Sequence, residues 1–182
     1  TANTTASNNT AVGNAALLAN TTGDRNVAMG ALALDANTTA DANTAVGYEA
    51  LTTNTEAEGN TAVGFGSLRL NTTGASNVAI GLNALNANTT ASYNTAVGAS
   101  ALVANTTGTR NISVGYGSGS NITTGSYNVF MGSFAGDAIT TASNNTGIGD
   151  ASLTANTSGA NNTAVGDQSL KLNTTGAHNT AV

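Results

Sequence analysis

The side chains that could carry out chemistry are few. His178 is the only histidine among 182 residues, and the chain has no cysteine. One imidazole without thiolates cannot supply the ligand set of a zinc site. Gly115, Gly117 and Gly119 form a Gly-x-Gly-x-Gly run, but a phosphate-binding loop needs a strand-to-helix context that the surrounding repeat does not offer. The sequence therefore predicts no catalytic, cofactor-binding or metal-binding residue, and a protein that is not an enzyme.

Two carboxylate pairs, Asp24/Asp41 and Asp150/Asp167, are separated by one repeat each. Stacked carboxylates can attract calcium weakly, but solvated charges are the favoured interpretation. Asn-x-Ser/Thr sequons also recur. The repeat generates them automatically, so their number does not indicate glycosylation, although it would permit it. They include Asn20, Asn37, Asn71, Asn88, Asn105 and Asn173.

Charge is sparse, with 4 Lys+Arg, 9 Asp+Glu and a formal net charge of −5. A nucleic-acid surface needs a stripe of basic residues, so nucleic-acid binding is not expected. No apolar run approaches the ~20 residues that span a bilayer, and no basic-then-apolar leader precedes Thr1, so no membrane span is expected in this segment. With Asn, Thr, Ala and Gly dominant, the composition is typical of a repeat protein.

A core motif, Asn-Thr/Val-Ala-Val/Met/Ile-Gly, recurs every 17 residues without insertion or deletion. We number each unit from its glycine, at position 0. This regularity predicts one continuous array over residues 1–182, about eleven coils cut from a longer fibre. Glycine and Asn-Thr-Thr within the unit disfavour paired helices, so an all-β parallel solenoid, or β-roll, is predicted. The glycines are Gly13, Gly30, Gly47, Gly64, Gly81, Gly98, Gly115, Gly132, Gly149 and Gly166.

Large aliphatic side chains at position −1 share strand parity with the β-branched residues at −3, which predicts that both face the interior. A small residue at +3 and leucine at +4 suggest a second strand, followed by an Asn-Thr-Thr-Gly/Ala turn. The predicted core ladder is Val12, Met29, Val46, Val63, Ile80, Val97, Val114, Met131, Ile148 and Val165, with Leu17, Leu34, Leu51, Leu68, Leu85, Leu102, Leu153 and Leu170.

Asparagine at position −4 predicts a ladder of hydrogen bonds between coils. Its members are Asn9, Asn26, Asn43, Asn60, Asn77, Asn94, Asn111, Asn128, Asn145 and Asn162. All thirteen charged residues avoid the Asn, aliphatic, glycine, small and leucine positions, as burial of those positions requires. Where leucine becomes Gly119 or Gly136, the following Asn becomes Ile122 or Ile139, which is typical of a packed interior; Phe130 nearby suggests a bulge.

Alanine at position −2 would then form a flat, uncharged stripe on the opposite face. We interpret it as a contact between chains, because so thin a coil buries little apolar surface by itself; a solvated sheet face is the alternative. Such a contact predicts side-by-side homo-oligomers, with a trimer favoured. The predicted chain-chain contact stripe is Ala11, Ala28, Ala45, Ala62, Ala79, Ala96 and Ala164.

Asn-Thr-Ala-Val-Gly followed by a small residue, leucine and Asn-Thr-Thr-Gly resembles the head repeats of trimeric autotransporter adhesins, and still more the repeats of phage tail-fibre-like and bacterial surface proteins. The resemblance covers the whole chain, although the unit here is longer than in the adhesin heads. It implies a homotrimeric fibre of left-handed coils on a cell or virion surface. A host-surface or extracellular-matrix receptor is the partner that this resemblance suggests.

The leading functional hypothesis is therefore an extracellular fibre shaft or adhesin head that holds a binding tip away from a surface. An ice-binding solenoid is the first alternative, because the threonines at position +8 stack and can order water. These are Thr21, Thr38, Thr55, Thr72, Thr89 and Thr106. A self-assembling extracellular filament, joined end to end through unpaired strands, is the second alternative.

Overall fold

The computed structural model describes residues 5–182, in which every regular element is a β-strand and no helix occurs. β1 to β10 occupy positions −3 to −1 and β11 occupies positions −3 and −2, so every 17-residue coil contributes one strand. The strands are β1 (Thr10–Val12), β2 (Val27–Met29), β3 (Thr44–Val46), β4 (Thr61–Val63), β5 (Val78–Ile80), β6 (Thr95–Val97), β7 (Ile112–Val114), β8 (Val129–Met131), β9 (Thr146–Ile148), β10 (Thr163–Val165) and β11 (Thr180–Ala181).

The strands form one parallel sheet in which spatial order equals sequence order. Val46 lies opposite Val63 and Ala45 opposite Ala62, so equivalent residues of successive coils stand directly over one another. β8 keeps the same register on both sides, so Phe130 causes no bulge. The predicted parallel β-solenoid with 17-residue coils is confirmed.

The second predicted strand is wrong. Positions +1 to +6 form a turn, and the leucine at +4 has left-handed backbone, with φ of 52° at Leu34 and 53° at Leu51. This turn still bonds to the next coil, since the Leu34 N–H donates to the Ala50 carbonyl at 3.0 Å. A left-handed leucine costs about 1–2 kcal/mol, and complete burial of its side chain offsets that cost. Seven of the eight predicted core leucines are buried, whereas Leu170 in the last complete coil is half-buried.

The aliphatic half of the predicted core is wrong, and the sides of the strand are reversed. Positions −3 and −1 do share a face, but that face points to solvent. At position −1, Val12, Met29, Ile80, Met131 and Ile148 are exposed; Val46, Val63, Val97, Val114 and Val165 are half-buried. Alanine at position −2 is the residue that turns inward.

The predicted chain-chain stripe is consequently also wrong, because the alanines lie inside the coil. Ala28, Ala45, Ala62, Ala79, Ala96 and Ala164 have no exposed surface, and only Ala11 in the first described strand is open. The physical reason is the narrow interior of a short coil. Leucine from the turn already fills the space, so the facing strand can contribute only a methyl group.

Position 0 admits only glycine. Gly47 has a φ of +134°, and a Cβ built there would lie 2.5 Å from the carbonyl oxygen of Gly64 in the next coil. The same close approach recurs from Gly13 to Gly149. The invariant glycine therefore fixes how tightly the coils stack where each strand ends.

Candidate interaction surface

The outward strand face, which we define as positions −3 and −1 of β1 to β11, is a mostly apolar stripe that runs the length of the described stack. It carries Val, Ile, Met and Thr and no charged residue. Ile80, Ile112 and Met131 are exposed by 40%, 41% and 43% of their surface. With coils ~4.8 Å apart, this face runs about 50 Å along the rod and about 10 Å across it. Single exposed aliphatic residues are ordinary, but a continuous uncharged stripe of this length is typical of a contact surface.

The asparagines at position −4 form the predicted ladder. The Asn77 Oδ1 accepts the backbone N–H of Asn94 at 2.9 Å, and the Asn94 Oδ1 accepts that of Asn111 at 2.9 Å. Each Nδ2 also donates to a turn carbonyl, as Asn94 does to Gly108 at 2.9 Å. Asn26 through Asn162 are buried, whereas Asn9 is half-buried. These side chains satisfy buried backbone groups at the corner before each strand, which leaves little of them accessible to a ligand.

A second asparagine ladder lies at position +7, for which the sequence pattern predicts only a turn. Asn37 donates to the Asn20 Oδ1 at 2.8 Å and to the Ala40 carbonyl at 3.1 Å. Ile122 and Ile139 interrupt the ladder, and the Asn105 Oδ1 beside the first of them is buried without a partner. The nearly constant asparagine at +7 carried the same signal as position −4 and could have revealed this ladder.

Replacing Asn94 with alanine should destabilise the coil strongly. The change leaves the Asn111 N–H buried without a partner, and it removes one of the two side-chain donors to the Gly108 carbonyl, which keeps the Asn105 Nδ2 at 2.9 Å. One unsatisfied buried group costs about 1–3 kcal/mol. Urea unfolding followed by circular dichroism measures this loss, with Thr90→Ala at an exposed position as the control. A change below about 1 kcal/mol would contradict the structural role of the ladder.

Threonine occupies both positions of the corner that follows the second ladder, and the two positions differ. At +8 the hydroxyl donates to the carbonyl of the next +8 residue, as Thr72 does to Thr89 at 3.0 Å and Thr106 to Thr123 at 3.1 Å. At +9 the side chains are exposed. The outer rank is Thr22, Thr39, Glu56, Thr73, Thr90, Thr107, Thr124, Thr141, Ser158 and Thr175.

The fold does not bring together the residues that the sequence offers for catalysis, metal binding or phosphate binding. His178 is exposed at a corner, and Gly115, Gly117 and Gly119 lie at the end of β7 and in its following turn, where two replace left-handed side-chain positions. The Asp41 Oδ1 accepts the backbone N–H of Asp24 at 2.7 Å, so this pair supports the corner backbone. Asp150 and Asp167 are exposed. Among residues 5–182, no group of three or more His, Asp or Glu could hold a metal ion.

The sequons at position +7 are blocked in the folded chain. Asn20, Asn37, Asn71, Asn88 and Asn105 are fully buried, and Asn173 is half-buried. In Asn71, for example, the Nδ2 that a glycan would occupy donates to the Asn54 Oδ1 at 2.9 Å and the Gly74 carbonyl at 2.8 Å. Glycosylation at these buried asparagines is therefore incompatible with the native coil.

A small charged cluster lies on one corner of coils two to four. Arg69 pairs with Glu49 at 2.8 Å, while the nearby Asp35 is half-buried with an unpartnered Oδ1. Burial is the main cause that raises the pKa of the Asp35 carboxyl above its usual 3.8; backbone hydrogen bonds to Asp35 and Ala36 oppose the shift, and Glu49 adds to it. None of the thirteen charged residues is buried, which confirms their predicted exclusion from the interior.

Asp35→Asn should raise the thermal unfolding midpoint slightly at pH 7. A raised pKa means that the folded chain favours the neutral carboxyl, so the parent gains stability as the pH falls through that pKa. The difference between Asp35→Asn and the parent should therefore shrink between pH 7 and about pH 4. Calorimetry over this range checks it, with exposed Asp150→Asn as the control. A difference that grows on acidification would contradict the burial of Asp35.

The surface of residues 5–182 contains no pocket, and this part of the chain has no helix that could span a bilayer. What it offers to other molecules is therefore a long apolar face and polar corners. No family model, curated protein or solved structure matches the chain.

Proposed function

We propose that this chain is a section of a structural fibre in which copies associate side by side through the outward strand face. The observation that carries the proposal is the uncharged stripe at positions −3 and −1, which stays open along the whole stack although the interior is filled. Its repeat matches that of another copy of the same chain, coil for coil. A solenoid that grows by adding coils suits a shaft or adhesin head on a cell or virion surface.

The outward strand face amounts to about 500 Å², from about 50 Å by about 10 Å. A stable interface buries about 800 Å² on each partner, so the bordering corners must contribute as well. Three copies around one axis are the favoured arrangement, in which each copy meets two neighbours. The polar corners then remain outside, where the exposed threonines at +9 are free to attach to a host-surface or extracellular-matrix receptor.

Light scattering tests the association. The parent should have three times the chain mass of 17.6 kDa. Val46→Asp/Val97→Asp, three coils apart on the outward strand face, should reduce this to one chain while keeping the strand signal in circular dichroism, because unpaired charges oppose burial. Thr39→Asp/Thr90→Asp adds the same charges at position +9, where Glu56 occurs naturally, and should leave the mass unchanged.

A parent that is monomeric would remove the side-by-side fibre. An oligomer that survives Val46→Asp/Val97→Asp would show that another surface joins the copies. These two results separate the association itself from the face to which it is assigned.

An ice-binding surface is the second candidate function, and the threonines at position −3 of the outward strand face favour it. Thr44 and Thr61 stand on neighbouring strands ~4.8 Å apart, and Thr95 follows two coils later after Val78. The threonines at +8 contribute less than their spacing suggests, because their hydroxyls donate to backbone carbonyls. Thermal hysteresis that disappears in Val46→Asp/Val97→Asp but persists in Thr39→Asp/Thr90→Asp would support this function over the fibre.

A further inference from the structure

Two corners border the outward strand face, and both carry exposed side chains. The entry edge is position −5, just before each position −4 asparagine, and the exit edge is position +1, just after each glycine. Tyr93 on the entry edge is 59% exposed, and Phe65 and Tyr116 on the exit edge are 52% and 57% exposed. Contacts at each edge run along the rod: Tyr48 stacks on Phe65 at 5.5 Å, and the Arg110 guanidinium lies 5.2 Å from the Tyr93 ring centre.

In the second to sixth and the eighth coils, a large residue on one edge accompanies a small residue on the other, whereas the first, ninth and tenth coils carry Asn or Asp on both edges. The third to fifth coils combine a small entry residue with a large exit residue, and the sixth and eighth combine a large entry residue with a small one. The pairs are Ala42 with Tyr48, Gly59 with Phe65, Ser76 with Leu82, Tyr93 with Ala99, and Tyr127 with Ser133. The seventh coil has Arg110 with Tyr116, a combination suited to a cation-π contact.

This complementarity does not arise from contacts within one chain. The two edges of a coil are six positions apart along the chain, with the whole strand between them, a distance of up to about 20 Å. Matching sizes at that separation fit two surfaces of different copies that meet.

The backbone gives a second reason to assign a purpose to the entry edge. Every position −5 residue has positive φ, including Tyr93 at 64°, Arg110 at 57° and Tyr127 at 60°. Asn and Gly suit that conformation, and occur at Asn144, Asn161 and Gly59, whereas large side chains there are costly. Exposed tyrosine and arginine at strained positions are typical of a binding surface.

We infer that the entry edge of one copy packs against the exit edge of the next at the same height. Copies of this chain therefore lie parallel and in axial register, joined by a heterologous contact that closes into a ring. A shift by one coil would place Leu82 against Tyr93 and Tyr116 against Tyr127, two large pairs, and would leave the small residues Ala31 and Ala42 opposite each other. The inference rests on the side-by-side association proposed above and adds its direction, register and contact residues.

Cysteine cross-linking tests the register directly, because the chain has no cysteine of its own. Ser76→Cys/Leu82→Cys places thiols on both edges of one coil. A short thiol-reactive cross-linker should join copies of it into covalent oligomers. Ser76→Cys/Ser133→Cys separates the two edges by three coils, about 14 Å along the rod, and should stay uncross-linked, as should Ser76→Cys alone.

Each other outcome is decisive. Cross-linking of the offset pair would overturn the register, and that of Ser76→Cys alone would indicate like edges in contact. A light-scattering oligomer that none of the variants cross-links would overturn the edge contact and leave the fibre intact. A monomer would remove both proposals together.

A size exchange provides the second measurement. Ala99→Tyr should oppose a tyrosine with a tyrosine and weaken association about tenfold or more, as overpacking does. Tyr93→Ala/Ala99→Tyr restores one large and one small residue and should recover most of the affinity. Circular dichroism confirms that both variants fold. An exchange no tighter than Ala99→Tyr alone would contradict the contact between these edges.

Discussion

Replacing Ala62 with aspartate should prevent the chain from forming its coil around β4. Ala62 has no exposed surface, and its Cβ points into an interior already occupied by leucine and asparagine. An aspartate there would bring an unpaired charge and extra volume into that space. Such a change costs more than about 4 kcal/mol, which is a large part of the stability of a typical domain. Loss of the strand signal and of cooperative thermal unfolding in circular dichroism measures the effect.

Val63→Asp is the matched control, because it introduces the same side chain one residue further along the same strand. Val63 is half-buried on the outward strand face. The charge there stays in contact with water in the single chain, so a dilute sample should retain the strand signal. The opposite result, a folded Ala62→Asp beside an unfolded Val63→Asp, would mean that the aliphatic residues are inside after all.

Much of the fold follows from the sequence, because the length of the repeat sets which residues of successive coils lie opposite each other in the sheet. A fixed interval of 17 residues brings Val46 over Val63 and Asn77 over Asn94, and the structure pairs these positions as predicted. The leucines, the position −4 asparagines and the avoidance of interior positions by charge were also predictable. Leucine strongly prefers burial and charged side chains strongly prefer water. The position −4 asparagines were predictable for another reason, because an amide side chain repeated once per coil can hydrogen-bond to the next coil.

Hydrophobicity alone does not predict which side of the strand faces the interior, because it favours burial of the larger aliphatic side chains. Parity correctly grouped positions −3 and −1, but it also groups position −2 with the asparagine at −4. Since Asn43 is buried, Ala45 two residues later must also point inward. A narrow coil selects interior side chains by volume, and the surplus of large aliphatic residues then lies outside, where another copy can bury them.

The second strand failed for a backbone reason. Small residues followed by leucine at +3 and +4 indicate burial but not extension, and Leu51 reaches the interior from left-handed backbone. Propensity rules do not anticipate leucine in that region, because its cost is repaid only by a tertiary contact. The sequence pattern does not reveal the edges of the outward strand face, because neither position −5 nor position +1 carries a constant residue. The relation between their side-chain sizes becomes visible only when both positions are located on the same coil.

Phe130 offers the sharpest internal test of the interior assignment. It stands at position −2, where most coils have alanine, yet it is completely buried. A Cβ on Gly136 would lie 2.6 Å from its ring, so glycine replaces the usual leucine opposite it. Ile139 completes the same exchange at +7, where most coils have asparagine. The eighth coil therefore fills its interior from the strand side, whereas most coils fill it from the turn side.

Phe130→Ala should cost about 3–5 kcal/mol through the cavity it leaves. Gly136→Leu should cost a similar amount or more because its side chain collides with the phenylalanine ring. Phe130→Ala/Gly136→Leu/Ile139→Asn converts the coil to the common pattern and should lie within about 1.5 kcal/mol of the parent, as volume-conserving exchanges do. Urea unfolding of the three variants gives the coupling between these sites. If the losses in free energy of unfolding simply add, Phe130 and Gly136 are not in contact. Position −2, the alanine side of the strand, would then not face the interior.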